Sequence, residues 1–276
     1  MKKYILFAAA FLFLVPMMYG QRQLVELWKT DSVFKVPESV LYDKSGRVLY
    51  VSNIDGTDPW GKDGQGSIGK LGLDGKVIAA EWVTGLHSPK GMGLYKGILY
   101  VADQQEVVMI DVKQSKIVNR IEVEGASGLN DISIDAKGII YVTDSRGKKL
   151  YRIDNRKASL YLDSLSGPNG VLAHDGKLLI VDNGALYRVE SDKSLTKLAD
   201  GMEGGTDGIE HTGNGEYLVS CWAGVIYHVK GEGRKEVLLD TREAKSNTAD
   251  IGYDAAKKIV YVPTFWRNTV VAYQLK

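Results

Sequence analysis

Two carboxylates and two carboxamides, Glu38, Asn130, Asn169 and Asp207, stand far apart in the 276-residue chain yet share one local setting. Each opens a short run rich in β-branched and aromatic residues: PESVLYD from Pro37, LNDISID from Leu129, PNGVLAHDG from Pro168 and TDGIEHTGNG from Thr206. Brought together, their oxygens suit a hard divalent cation, calcium foremost, which takes about six to eight oxygen ligands at roughly 2.3–2.6 Å, water included. Zinc, magnesium and manganese are the alternatives. Glu38 and Asp207 together would neutralise one such ion. Lys90 holds the same place in PKGMGLY and adds a positive charge. It would serve as an electrophile for an anionic substrate, or pair with Glu38 or Asp207 and displace the metal. Read singly, each residue also has a plain reading. Asn169-Gly170 and Asp207-Gly208 are turn dipeptides, and Glu38 after Pro37 is a surface charge.

What unites them is an internal repeat. A polar or turn residue, an alternating apolar strand, a Gly-containing turn and a second β-branched strand return six times. Anchored on Glu38, Lys90, Asn130, Asn169, Asp207 and Ala249, the copies are spaced by 52, 40, 39, 38 and 42 residues. Strand-rich periods of about 40–45 residues are the mark of four-stranded propeller blades. The sequence is therefore expected to form an all-β, six-bladed β-propeller. The long first interval contains an insertion, Ile54 to Ser67. Third strands are read in KLYRI, ALYRVE and VIYHV, and fourth strands in ASLYLD, LTKLAD and KEVLLD. The sixth copy ends on its third strand, VVAYQLK, so Leu24–Trp28 (LVELW) is expected to complete that blade and close the ring. Equivalent repeat positions then converge on one mouth of the central channel, with Asp131 and Asp250 one residue further along.

The remaining features bound the function. Lys2 and Lys3 followed by an apolar run from Tyr4 to about Met18 read as a secretory leader over residues 1–20, with residues 21–276 as the propeller domain. A periplasmic or secreted protein is expected, free of the membrane after cleavage. Without Lys2 and Lys3 the 35 basic residues become 33 against 34 acidic ones, a net charge of −1 that gives no electrostatic case for nucleic acid. The partner expected is a small-molecule substrate. Cys221 is the single cysteine and reads as a small buried apolar residue. His87, His174, His211 and His228 form no short-range zinc pattern, and His174 and His211 fall in matching turns that read as exposed.

Gly64-Gln65-Gly66-Ser67-Ile68-Gly69 matches a dinucleotide fingerprint, but it leads into a hairpin with an Asp74-Gly75 turn instead of opening a helix. Asp55, Asp58 and Asp63 in the insertion lack the spacing of a calcium loop and read as turn formers in a solvated segment. Trp222, Phe265 and Trp266 fall near inner-strand ends, and at least two of them are expected to pack in the core.

The pattern of Glu in the first repeat, Asn in the third and fourth and Asp in the fifth resembles the senescence marker protein / gluconolactonase / luciferin-regenerating enzyme family. The resemblance spans essentially residues 21–276. It implies a six-bladed propeller with one divalent cation at the channel mouth and, in several members, hydrolysis of sugar lactones. Carried over by motif, Glu38 in VPESVLYD, Asn169 in GPNGVLAHDG and Asp207 in TDGIEHTGNG would be metal ligands. Asn130 in LNDISID would ligate the ion or touch substrate, and Asp207 would also be the general base. Two positions depart from the family. Gly128 stands where the sugar lactonases carry a substrate-holding Arg, and Lys90 faces the same mouth. The expected function is a metal-dependent, lactonase-like hydrolase, with Lys90 and Asp207 as catalytic groups and Lys90 and Asn130 touching substrate. The alternative is a non-catalytic ligand- or protein-binding propeller whose metal is structural or absent. No motif supports a strictosidine-synthase-like reading.

Overall fold

The computed structural model describes residues 22–276, so the expected leader lies outside the described residues. The strand β1 (Leu24–Lys29) comes first. Blade one follows as β2 (Pro37–Asp43), β3 (Val48–Asn53), β4 (Gly66–Gly72) and β5 (Val77–Leu86). Blade two is β6 (Pro89–Tyr95), β7 (Ile98–Asp103), β8 (Glu106–Asp111) and β9 (Lys116–Glu122). Blade three is β10 (Leu129–Ile134), β11 (Ile140–Asp144), β12 (Lys149–Asp154) and β13 (Lys157–Leu162). Blade four is β14 (Pro168–His174), β15 (Lys177–Asp182), β16 (Ala185–Val189) and β17 (Leu195–Ala199). Blade five is β18 (Thr206–Gly213), β19 (Glu216–Cys221), β20 (Val225–Val229) and β21 (Lys235–Asp240). Blade six has β22 (Gly252–Asp254), β23 (Ile259–Pro263) and β24 (Val270–Leu275), and β1 is its outer strand.

The six-bladed propeller expected from the repeats is therefore the fold. The N-terminal strand closes the ring, with Leu24 opposite Leu275 and Lys29 opposite Val271 in antiparallel register. Closure spares the radial array an open end. The inner strands of the two terminal blades are also joined directly, since Asp250 N–H donates to the Glu38 carbonyl at 3.0 Å and Val40 N–H to the Asp250 carbonyl at 3.2 Å.

Apolar faces of neighbouring blades pack in pairs right around the ring. Leu99, Val101 and Ile110 meet Tyr50 and Ile68 between blades one and two. Val40, Leu49 and Leu71 meet Tyr261, Val270 and Ala272 between blades one and six. Fully burying such a Val, Leu or Ile side chain contributes roughly 1.5–3 kcal/mol. Cys221 belongs to the packing between blades four and five, fully buried, and burial pushes its thiol up to about 12. That is the inert apolar role expected of it.

The apparent nucleotide motif lies along β4, with Gly66 to Gly72 paired in a sheet, and its hairpin turns at Asp74-Gly75, where Gly75 has φ +83°. There is no helix N-terminus for a phosphate to meet. In the insertion, Asp58 accepts from Trp60 N–H and Asp63 from Gln65 N–H, while Asp55 pairs with Lys35 at 2.9 Å. These are turn-forming and surface roles. His174 and His211 correct the expectation of exposure: both are half-buried and their rings stack at 4.3 Å.

Candidate functional site at the channel mouth

In blades one to five, a break in β-ladder register falls at the first residues of the inner strand. The breaks span Pro37/Ser39, Pro89/Met92, Leu129/Ile132, Pro168/Val171 and Thr206/Ile209. A bulge of this kind re-aims the side chain it carries. The residues it re-aims are Glu38, Lys90, Asn130, Asn169 and Asp207.

Two sets of second-strand residues hold these bulges. In blades one, three and five, a hydroxyl accepts the N–H that follows the site residue: Ser52 from Ser39, Thr143 from Asp131 and Ser220 from Gly208, at 2.8–2.9 Å. In blades two, three and four, the last residue of the second strand is an Asp that holds the loop in front of the site. Asp103 accepts from His87 and Ser88, Asp144 from Ser127 and Gly128, and Asp182 from Ser166 and Gly167.

The ring residues are buried: Glu38 is 4 % exposed, Lys90 3 %, Asn130 7 % and Asp207 2 %, with Asn169 half-buried. Burial pushes Glu38 up to about 7, with Lys90 opposing and Asp250 adding to the shift. Asp207 is raised well above the ordinary carboxylate range by burial, Glu38 and Asp250, against Lys90 and the neighbouring Asn169 carboxamide. Lys90 is lowered by burial, which the charges of Glu38, Asp207, Asp103 and Asp58 counteract. Its charge acts on both Glu38 and Asp207, so the three groups expected at one mouth share one electrostatic neighbourhood.

Glu38 Oε2, Asn169 Oδ1 and Asp207 Oδ1 are buried without any hydrogen-bond partner. Asn130 spends its Nδ2 on Ser145 Oγ at 2.9 Å, and Ser145 donates in turn to the Pro168 carbonyl at 2.6 Å. Its remaining polar side-chain atom is therefore the oxygen. This donor set fits a hard cation, which is held by carboxylate and carboxamide oxygens. Among the described residues no group of three or more His, Cys, Asp or Glu side chains is placed to hold a metal ion. The ring draws on only two carboxylates and completes its oxygen set with amides.

The sixth repeat position behaves differently. Ala249 is fully buried in an apolar cluster with Val36, Ile54 and Phe265. Asp131 and Asp250 lie one residue along and act as struts between blades. Asp131 accepts from Val171 N–H of blade four at 2.7 Å, and Asp250 from Ser39 Oγ of blade one at 2.5 Å. Gly91 and Gly208 leave the room for these carboxylates, since a Cβ on either would collide with the neighbouring Asp oxygen. Along the inner strands a cavity of about 230 Å³ is lined by Ser39, Asp131, Glu210 and Asp250 among apolar side chains.

Trp60 and Arg146 are site neighbours that the repeat alignment does not reach. The insertion lays Trp60 over Lys90, whose Nζ is 4.3 Å from the ring centroid, a cation–π contact. The Arg146 guanidinium lies 5.8 Å from the same ring. Gly128 explains how they fit: a Cβ there would stand 2.7 Å from Trp60 and 2.8 Å from Arg146. The space at the departure from the family pattern is thus filled by a tryptophan and an arginine from other parts of the chain. Gly61 anchors the insertion by accepting from Ser88 Oγ at 2.6 Å and Gln104 Nε2 at 3.2 Å.

Trp222, Phe265 and Trp266 also lie at this mouth, and the core role expected for at least two of them is corrected. Trp222 is 40 % and Trp266 46 % exposed, and only Phe265 is buried. They sit on second-to-third strand turns, where the chain has left the blade core.

Fold and site together define a six-bladed propeller with an oxygen-rich, lysine-bearing mouth. No family model and no curated protein matches the sequence. Solved structures match across the ring. A gluconolactonase from Xanthomonas campestris superposes with a TM-score of 0.69 at 14% identity, over 93% of this chain and 91% of that one. Virginiamycin B lyase from Staphylococcus aureus gives 0.63 at 15% identity, over 93% and 100%. A chain of the nidogen/laminin complex gives 0.66 at 16% identity, over 79% and 84%. At these identities the likeness is one of fold, and it includes gluconolactonase-type propellers as the first-to-fifth-repeat pattern implied.

Proposed function

We propose that the protein is a metal-dependent hydrolase of a cyclic ester, acting at the mouth ringed by Glu38, Lys90, Asn130, Asn169 and Asp207. The observation that carries this reading is the set of three unpartnered buried oxygens, Glu38 Oε2, Asn169 Oδ1 and Asp207 Oδ1. A buried polar atom left unpaired costs about 1–3 kcal/mol, and one cation would relieve all three. Glu38, Asn169 and Asp207 would hold it, with the Asn130 oxygen as a fourth ligand or a substrate contact. Calcium fits this donor set best. When bound, such a cation supplies Lewis-acid polarisation of the ester carbonyl and makes water more acidic.

The protein's own groups do the rest. Asp207 takes the proton of the attacking water as general base and returns it to the alkoxide oxygen that leaves when the acyl C–O bond breaks. Lys90, held in place under Trp60, orients the ester oxygens and balances charge as the ring opens to a carboxylate. Asn130, fixed through Ser145, positions the substrate. With Gly128 in place of an arginine, the reading stops at cyclic esters and does not extend to a sugar. The leader expected at residues 1–20 would put the activity in the periplasm or outside the cell.

Hydrolysis of a panel of lactones by the expressed protein, with each of calcium, magnesium, manganese and zinc, tests the reading. Cation-dependent turnover that disappears in Asp207→Ala is expected. No turnover with any cation, or full activity in Asp207→Ala, would overturn it. The close burial of Glu38, Lys90, Asn130 and Asp207 and the likeness to a chain of a nidogen/laminin complex favour a second reading, a binding propeller whose metal is structural or absent.

A further inference from the structure

Three of the five tryptophans, Trp60, Trp222 and Trp266, lie on the mouth-face connections of blades one, five and six, which are consecutive around the ring. Trp222 and Trp266 form a built surface. Both meet the buried Phe265 edge to face, at 5.5 Å and 81° for Trp222 and at 4.8 Å and 86° for Trp266. Such geometry holds aromatic pairs in place.

Their backbone is fixed as firmly. Phe265 has φ +48°, a conformation that a bulky residue adopts only when its surroundings impose it. Here Thr264 Oγ1 bonds the Thr269 carbonyl at 2.8 Å, Asn268 N–H closes onto the Phe265 carbonyl at 3.0 Å, and Arg267 Nη2 reaches the Ala244 carbonyl at 2.7 Å. Asn247 Nδ2 holds the Trp222 carbonyl at 2.8 Å. The segment from Ala244 to Asn247 thus stakes down both tryptophans.

The platform is continuous with the site. Trp222 N–H bonds the Gly205 carbonyl at 2.8 Å, two residues before Asp207, and Phe265 packs on Val36 and Ala249 beside Glu38 and Asp250. Large aromatics held rigid yet left open to solvent at a catalytic mouth are preorganised for a flat apolar partner. A polyhydroxylated ring offers only a small patch of C–H bonds to such a face and gains less from it than a wholly apolar ring.

We infer that the substrate carries an aromatic or flat apolar ring, seated against Trp222 and Trp266, beside the ester that meets the Glu38–Asp207 ring; this rests on the hydrolase reading for the ester alone. Dihydrocoumarin, an aryl lactone, and D-glucono-δ-lactone are the probes. Their binding to the cation-loaded protein is read by stopped-flow tryptophan fluorescence ahead of turnover, and their turnover is read separately. Dihydrocoumarin is expected to bind at least about tenfold tighter than the sugar lactone. Adding Trp222→Ala or Trp266→Ala should each weaken it by about tenfold, while Trp222→Phe retains most of the affinity. Unchanged melting temperature in these variants establishes that the fold is kept. Equal or tighter binding of the sugar lactone, or affinity indifferent to both tryptophans, overturns the inference. Aryl binding without turnover of either lactone defeats the hydrolase reading and leaves the platform standing. Turnover of the sugar lactone regardless of the tryptophans does the reverse.

Discussion

Blades two, three and four end their second strands on Asp103, Asp144 and Asp182, whereas blades five, six and one end theirs on Cys221, Pro263 and Asn53. In the first arc each carboxylate is consumed by backbone N–H groups and fixes the loop that presents Lys90, Asn130 or Asn169. The second arc lacks these clamps, contributes both ring carboxylates, Glu38 and Asp207, and carries the aromatic platform. The same residue type is therefore fully bonded on one side and left with a free buried oxygen on the other. At the mouth, the satisfied aspartates build structure, and Asp207 keeps an oxygen free for a ligand.

The strongest break of this comparison is Asp144→Ala. It strands the N–H groups of Ser127, Gly128 and Gly147, of which Gly128 is the most deeply buried, at a cost of roughly 2–4 kcal/mol. At about 2–4 °C per kcal/mol for a chain of this size, the melting temperature should fall by roughly 5–15 °C. Cys221→Ala, at the matching place in blade five, should cost only about 1 kcal/mol. Equal losses in the two variants would erase the distinction between the arcs.

Lys90→Met addresses the one positive charge on the ring. Removing a cation that acts on Glu38 and Asp207 should tighten calcium binding by about tenfold in isothermal titration and reduce turnover. Weaker calcium binding would mean that Lys90 supports the cation site.

The buried carboxylates of the mouth and channel respond to acidity together. Without a cation, burial raises Glu38 and Asp250 to about 7, with Asp131, Asp207 and Glu210 shifted the same way. The folded state then holds these protons more tightly than the unfolded chain, so their stabilisation is complete below the ordinary carboxylate range; that of Glu38 and Asp250 is lost as pH rises through about 7, and that of the others as pH rises through their own raised values. Lys90, shifted down, contributes in the opposite sense, losing stability as pH falls through its lowered value. The carboxylates outnumber it, and the cation-free protein should melt several degrees higher at about pH 5 than at about pH 8. Saturating calcium should raise the melting temperature at the higher pH. A flat profile in both conditions would contradict the burial of these carboxylates.

The smallest expected effect belongs to Gly128→Ala. The new Cβ meets only side chains, Trp60 and Arg146, which can swing aside, so stability should change by less than about 1 kcal/mol. The displaced Trp60 should shift the fluorescence spectrum. An unchanged spectrum would show that Trp60 does not rest against Gly128.

The ring was legible in the sequence because a repeat converts chain position into angular position. Glu38, Lys90, Asn130, Asn169 and Asp207 share one repeat slot and therefore share one mouth. The aspartate clamps recur in the sequence as the D of VAD, VTD and IVD, but nothing there marks them as clamps, because their partners lie in loops with no periodic pattern. Trp60 belongs to an insertion without a counterpart in other repeats, so nothing in its spacing places it over Lys90. The exposure of Trp222 and Trp266 runs against the sequence signal, because apolar residues next to strand ends ordinarily turn inward, while the strained backbone at Phe265 keeps only that ring inside. The half-buried stack of His174 on His211 is a contact between blades that local turn signals do not carry.

The central claim is that the unpaired oxygens of Glu38, Asn169 and Asp207 are one cation site. Metal content and calcium affinity of the expressed protein, measured beside Glu38→Ala and Asp207→Ala, test it directly. The account requires one ion per chain, lost in both variants while the melting temperature still reports a folded ring. No bound ion, or an ion retained by both variants, would contradict it.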